Sequence, residues 1–371
     1  MQCISTRENI LFCIDVIRSN AEKALDILAD TVLFPTFPED ELEESRMIAR
    51  LQPEELPDDV FSKDLVQRAA YLNQPLGNHH FCPDEHLDSV SAKTLHDFRA
   101  KHFFGENCVL AVTGVDHKTI IPLIEKKFSS LPKGRRSNII RKKSAFTGGL
   151  MQHERNLKEP FVRIALTFEA GGWNDDQLVA TCVLQHLLGG GSSFSSGGPG
   201  KGMYTRLYTQ VLNCYRWAES VEAFVSVHED NGIFGIDSSC PPENIPHMIR
   251  EIIDQLAVLA FVPVSPVELS RAKNMLKSFM MMQLESRLVL CEDIARQYIT
   301  YDKREDPVEV CSKIDKITAN DLMAVGKRLL LQPPAIGIVG SDLSHVPAYD
   351  DIVKFANSYR EEMAKSYKAN Q

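Results

Sequence analysis

The sequence predicts an α+β protein built from a duplicated unit, with the first copy incomplete. Three observations carry this. Short alternating apolar runs are interleaved with amphipathic helical patterns. Four segments recur in the same order at nearly one spacing. And one very glycine-rich loop, GGGSSFSSGGPGKG at 189–202, sits between two helical patterns in the second copy alone.

The first copy reads in order as follows. ENILFCIDV (8–16) alternates as a half-buried strand. Ser19 or Asn20 caps a helix from Ala21 to Val32, with Ala24, Leu25, Leu28 and Val32 on one face. FPTFP (34–38) breaks it. A second helix runs from Glu39 to Leu51, QPEELPDD (52–59) is a turn-rich interruption, and a third helix reaches Leu72. HHFCPDEHLDSV is irregular. A capped helix runs from Ser91 to Phe103, and Cys108–Val115 is a β-branched strand.

The second copy answers it. EDNGIFGIDS (229–238) aligns Phe234, Ile236 and Asp237 with Phe12, Ile14 and Asp15. Residues 256–273 answer FPTFPEDELEESR and its flank, with Glu268-Leu269 opposite Glu41-Leu42. DKITANDLMAVGKRLL answers DSVSAKTLHDFRAKHF at 315 − 88 = 227. AIGIVGSD (335–342) answers VLAVTGVD (109–116). Residues 1–132 then form the truncated first domain, 133–149 (KGRRSNIIRKKSAFTGG) a linker, and 150–371 the second domain. The second copy spends 229 − 150 = 79 residues before the point where the first begins. About 70 residues of the first copy are therefore expected to lie outside this sequence.

Composition narrows the function. The chain has 371 residues, 25% of them charged, and a net charge of -9. That balance argues against nucleic acid and for basic partners. Nine scattered cysteines without a CxxC pair read as thiols of a reducing compartment. No run has the length of a membrane span.

Few motifs carry chemistry. A zinc hydrolase needs ligands fixed on a rigid element, as in HxxEH or HExxH. Neither occurs among the 11 histidines. Cys82-Pro83-Asp84-Glu85-His86 has the first spacing with Cys in the leading place, and reads as an exposed loop because Pro83 interrupts a helix. His79, His80, His96 and His102 read as surface residues and His186 as a partly buried helix position. GPGKGM lacks the Ser or Thr of a phosphate loop and follows a helix rather than a strand. No GxSxG elbow is present. The acidic runs Glu39–Glu44 and Glu54–Asp59 read as solvated surface that can attract a basic peptide. The stretch Lys273–Gln297, with Met275, Met280, Met281, Met282 and Leu284, reads as core.

The glycine loop, with MMQLESRLVLCEDIARQ downstream, CISTRENILFCIDV near the start and the NHHFCP segment, resembles the α-type subunits of the pitrilysin-like (inverzincin) metallopeptidase family. The resemblance implies a duplicated, two-domain pitrilysin-like (LuxS/MPP-like) fold and no catalytic site or metal in this chain. It implies a noncatalytic subunit of a zinc metalloendopeptidase that removes presequences. The zinc is expected in a partner β-subunit, and the substrates are basic mitochondrial presequences. The place is the mitochondrial matrix, with inner-membrane association as a variant. By the same resemblance Gly189, Gly190, Gly191, Ser192, Ser193, Phe194, Ser195, Ser196, Gly197, Gly198, Pro199, Gly200, Lys201 and Gly202 bind substrate. The alternative within the fold is a structural core subunit of the cytochrome bc1 complex. An independent peptidase is a third reading.

Overall fold

The computed structural model describes residues 1–136, 141–155, 160–192 and 203–369, with side chains as far as Glu361. The order is β1 (Gln2–Ser5), β2 (Ile10–Cys13), α1 (Ala21–Leu33), α2 (Glu39–Glu55), α3 (Asp58–Ala70), α4 (Asp84–Leu87), α5 (Ala92–His102) and α6 (His117–Phe128). Then follow β3 (Gly149–Glu154), β4 (Val162–Ala170), α7 (Leu178–Leu188), β5 (Gly190–Ser192), β6 (Ser220–Val227), β7 (Gly232–Cys240), α8 (Ile245–Phe261) and α9 (Pro266–Gln283). The chain closes with α10 (Arg287–Tyr301), α11 (Pro307–Lys316), α12 (Ala319–Leu329), β8 (Ala335–Gly340) and α13 (Tyr349–Ala369).

These elements gather into two compact units, neither of them one continuous stretch. One comprises Met1–Glu55, His80–Lys142 and Met280–Pro307; the other comprises Leu56–His79, Lys143–Phe279 and Val308–Gln371.

The larger unit is a six-stranded sheet in the order β3-β8-β4-β7-β6-β5, antiparallel except for the β3/β8 pair. One sheet face buries Ile164, Leu166, Phe168, Val221, Phe234 and Ile236 against α7, α8 and α12. The apolar spacing of α8 explains its place. Ile245, Met248, Ile249, Ile252, Ile253 and Leu256 recur every three or four residues and are all buried. The opposite face is covered in part by α3, whose Val66, Ala69 and Ala70, with Tyr71, pack on Ala165, Ile233 and Ala335. Gly337 makes that approach possible: a Cβ there would stand 2.7 Å from the Val66 nitrogen.

The smaller unit holds the β1-β2 hairpin, α1, α2, α4–α6 and α10. Its hairpin is the counterpart of β6-β7. Cys3 pairs Phe12 there as Val225 pairs Phe234. The duplicated helices agree down to their caps. Ser91 and Thr94 form a capping box on α5, and Thr318 and Asp321 form one on α12.

The units also exchange a helix. At the repeat's offset α10 is the counterpart of α3. Yet α3 belongs to the larger unit and α10 to the smaller. There α10 meets the segment that answers β8: Cys291 donates to the Ala111 carbonyl at 3.2 Å and Thr113 to the Arg287 carbonyl at 3.4 Å.

Three expectations need correction. Cys108–Val115 forms no strand, although its counterpart β8 is wholly buried. In the larger unit β8 lies between β3 and β4, whereas no described strand pairs with 108–115. A strand without a neighbour has no ladder to join. Second, α2 does not stop at Leu51 but continues through Pro53 to Glu55. Third, Met281 and Met282 are exposed rather than core, as is Phe279.

Candidate functional site

The glycine-rich loop leaves α7 at its C-terminus. Gly189, Gly190, Gly191 and Ser192 are described; Ser193, Phe194, Ser195, Ser196, Gly197, Gly198, Pro199, Gly200, Lys201 and Gly202 lie outside the described residues. The upstream stem requires glycine twice over. Gly189 has φ 54° and Gly190 φ 111°, both in the region that L side chains avoid. A Cβ on Gly190 would stand 1.9 Å from the Val221 carbonyl oxygen, and one on Gly189 2.3 Å from the Thr205 side chain. The stem is tied down by the Gly189 amide on the Gln185 carbonyl at 2.7 Å and the Ala223 amide on the Gly189 carbonyl at 2.8 Å.

The downstream stem is clamped to α9. The buried Arg206 guanidinium meets Glu268 in a forked pair, Nε to Oε1 at 2.5 Å and Nη2 to Oε2 at 3.1 Å. Arg271 donates to the Tyr204 carbonyl at 3.1 Å and lies over the Tyr204 ring. The two stems meet where Thr205 accepts the Gly190 amide at 3.1 Å. The expected helix after the loop forms with Leu207 and Val211 buried. It widens at Tyr208–Leu212, where Asn213 reaches back five residues to the Tyr208 carbonyl.

Beside the stem the sheet presents a polar hollow lined by Arg163, Gly191, Ser192, Glu219, Ser220, Glu222 and Ser239. Register explains it. Arg163, Ser239, Ser220 and Ser192 stand in one row across β4, β7, β6 and β5. Asp237, Glu222 and Gly190 stand in the next. Val221 and Ala223 turn into the core, so their neighbours Ser220 and Glu222 face the side that α3 covers only in part. Asp237 is buried. Desolvation raises its pKa above the usual carboxylate range, and Arg163 and a 2.9 Å bond from Ser62 pull it partly back. Burial alone lowers the Arg163 pKa, but the Asp237 carboxylate overrides that and raises it.

Several histidines and thiols are held by burial or by partners. His186 is half-buried, its Nδ1 3.1 Å from the Cys182 carbonyl, with a pKa lowered by burial. Burial pushes the Cys182 thiol up to about 11 and Cys240 to about 12. His79, read as surface, pairs instead with the buried Asp64 at 3.3 Å. His86 lies on the single turn α4.

With this geometry in view, the comparisons are decisive on kinship. Residues 89–276 match the family described as Peptidase M16 inactive domain, and residues 1–84 match Insulinase (Peptidase family M16). The chain belongs to peptidase family M16. Among its M16 relatives, a protein of Bos taurus named mitochondrial-processing peptidase subunit alpha is 32% identical over 94% of this chain and 70% of its own length. The subunit of that name from Pongo abelii is 30% identical over 99% of this chain and 73% of its own. A probable subunit alpha-1 from Arabidopsis thaliana is 33% identical over 94% and 69%. Among solved structures, a chain of Complex III2 from Candida albicans, Inz-5 bound, superposes with a TM-score of 0.78 over 92% of this chain and 81% of that one. At 18% identity it shows a shared fold alone.

Family M16 implies zinc, and the residues of this chain do not fit it. The sequence has no HxxEH, and among the described residues no group of three or more His, Cys, Asp or Glu could hold a metal ion. Sequence reading found the loop but missed the hollow beside it. One signal was available: Asp237, the one charged residue of the strand GIFGIDSSC, with two serines behind it.

Proposed function

We propose that this chain is the noncatalytic, substrate-recognition subunit of a heterodimeric mitochondrial processing peptidase. It binds presequences of imported precursors through Gly189–Gly202, while a zinc-bearing β-subunit cleaves them. The supporting observation is the similarity that runs along nearly the whole chain to proteins named as alpha subunits. The reading takes residues 1–132 and 150–371 as the two family domains, joined by 133–149, and the mitochondrial matrix as the place of work.

The chemistry of this chain is recognition. Hydrolysis belongs to the zinc of the partner. Glycines let an extended peptide come close to the backbone, and anchored stems fix where the loop starts and ends. A net charge of -9 suits an arginine-rich, acid-poor peptide. Among the described residues no single helix is long and apolar enough to cross a membrane.

Deleting residues 193–202 from the reconstituted heterodimer is expected to raise KM for presequence peptides about tenfold, about 1.4 kcal/mol of binding. Unchanged processing kinetics refute the reading. A second reading, a structural core subunit of the cytochrome bc1 complex, is favoured only by the fold likeness to Complex III2. Co-purification with cytochromes rather than with a zinc-bearing partner decides for it. Zinc bound by the isolated chain would support an independent peptidase.

A further inference from the structure

We propose that the basic strap after α6, together with the end of α5, docks this chain on an anionic phospholipid surface. The proposal concerns where the molecule works and stands apart from its reading as a peptide-binding subunit.

Charge is the first observation. Between Glu125 and Glu154 the chain holds eight lysines and arginines and no aspartate or glutamate. In a protein of net charge -9 this is the reverse of the average. Three of the eight have partners. Lys127 pairs with Asp26, Lys143 pairs with Asp230 at 3.3 Å, and Arg136 donates to the Ile299 carbonyl at 2.9 Å. Lys133, Arg135 and Lys142 are exposed and have no ion-pair partner among the described residues.

The strap is held against the end of α5. The Gly105 amide donates to the Pro132 carbonyl and the Arg136 amide to the Glu106 carboxylate, both at 3.0 Å. Gly134 lets the chain lie on the Phe104 ring, because a Cβ there would stand 2.7 Å from it. Gly134 and Arg136 are partly covered, whereas Lys133 and Arg135 face solvent. The last turn of α5 adds the exposed Lys101. Burial first, then the charges of Lys101 and Arg141, lower the His102 pKa, so Arg141 also stands near this end. A cation at a helix C-terminus serves the helix dipole. Lys133, Arg135 and Lys142 lie outside any helix and have no such role.

An aromatic side chain completes the patch. Phe98 precedes His102 by one turn of α5, their rings 4.6 Å apart, and is 48% exposed. Cations beside an exposed ring suit a bilayer: headgroup phosphates meet the cations while the ring enters the interface. Neither feature suffices alone, since stable attachment to a membrane takes two signals. A nucleic acid fits less well. It is a stiff polyanion longer than the patch, and would run on over the acidic remainder of the chain. Anionic lipids diffuse, and can gather under the patch alone.

The test is vesicle flotation of the full chain at low salt. The probes are vesicles of phosphatidylcholine alone and vesicles in which about one-quarter of the lipid is phosphatidylglycerol. Wild type is expected to float with the anionic vesicles only. The triple variant Lys133→Ser, Arg135→Ser, Lys142→Ser removes exposed groups and so keeps the fold, which circular dichroism checks. It should bind the anionic vesicles about a hundredfold more weakly. Phe98→Ser should weaken vesicle binding about tenfold and leave binding to heparin, a soluble polyanion, unchanged. Equal flotation with neutral vesicles, no flotation, or a triple variant as good as wild type overturns the proposal. Heparin binding with no effect of Phe98→Ser on vesicles also overturns it, by making the patch a site for a soluble polyanion. So does release from vesicles by inorganic phosphate that chloride at the same ionic strength does not cause, which marks a site for the free ion. The presequence-binding reading stands in every case, since it rests on other residues.

Discussion

Arg206 shows how one residue governs the loop. It follows the loop by only a few positions, is 7% exposed, and sends two of its nitrogens to Glu268. Its Nη1 is buried without a partner. The stem is thus pinned by an ion pair that the surroundings cannot replace. Replacing Glu268 with alanine leaves a buried guanidinium uncompensated. It should lower the unfolding free energy by about 3 kcal/mol, measured by denaturant titration, with a smaller loss for Glu268→Gln. A loss within about 0.5 kcal/mol would mean that water reaches Arg206 freely. The upstream stem is held differently. Gly189 and Gly190 carry backbone conformations and close approaches that a methyl group would forbid, so no side-chain chemistry is involved.

Among the elements, the contrast between β8 and its counterpart is the most instructive. VLAVTG and AIGIVG are nearly the same pattern. One exposes Val109, Leu110 and Val112 at 38, 37 and 39%, and the other is buried throughout. The amides of Leu110–Val112 should exchange with solvent orders of magnitude faster than those of Ile336–Ile338. Hydrogen exchange read by mass spectrometry checks this, and comparable protection would show that the segment pairs with something in solution. The same contrast marks what a sequence can reveal. Helices were legible because their hydrogen bonds are local: α5 and α12 announce themselves by caps that the structure reproduces. The strands β2 and β7 were legible through the repeat, but their hairpin partners β1 and β6 were not. The fate of 108–113 was not, because a strand is decided by its neighbours. Nor was the polar hollow legible, since it arises from rows that join Arg163, Ser239, Ser220 and Ser192 across 163–239 of the chain.

For the whole molecule the two units differ in depth of core. In the larger, Phe168, Phe234, Leu184 and many others are fully buried. In the smaller, the buried apolar side chains described are Leu25, Ala29, Leu33, Leu42, Leu87, Phe104 and Ile120, none below 4% exposure. A thin core gives little free energy against chain entropy. The repeat draws its boundary near 133–149, but the folded units draw theirs elsewhere, because α3 and α10 have changed places. A fragment starting at Lys143 therefore carries a sheet with one face bare at Ala165, Ile233 and Ala335. Expressed alone it should aggregate, and co-expression with a peptide covering 56–79 should restore a soluble pair, read by size-exclusion chromatography. Solubility of the fragment alone would show that α3 is dispensable.

That exchange of helices also bears on how such a chain can change over generations. A unit completed by a helix encoded in the other half cannot be lost, borrowed or replaced independently. A substitution on α3 at Val66 must be tolerated by β8, more than 250 residues away in the sequence. The two halves share one history of permitted mutations, and a gene that kept only the second would encode a sheet with one face uncovered.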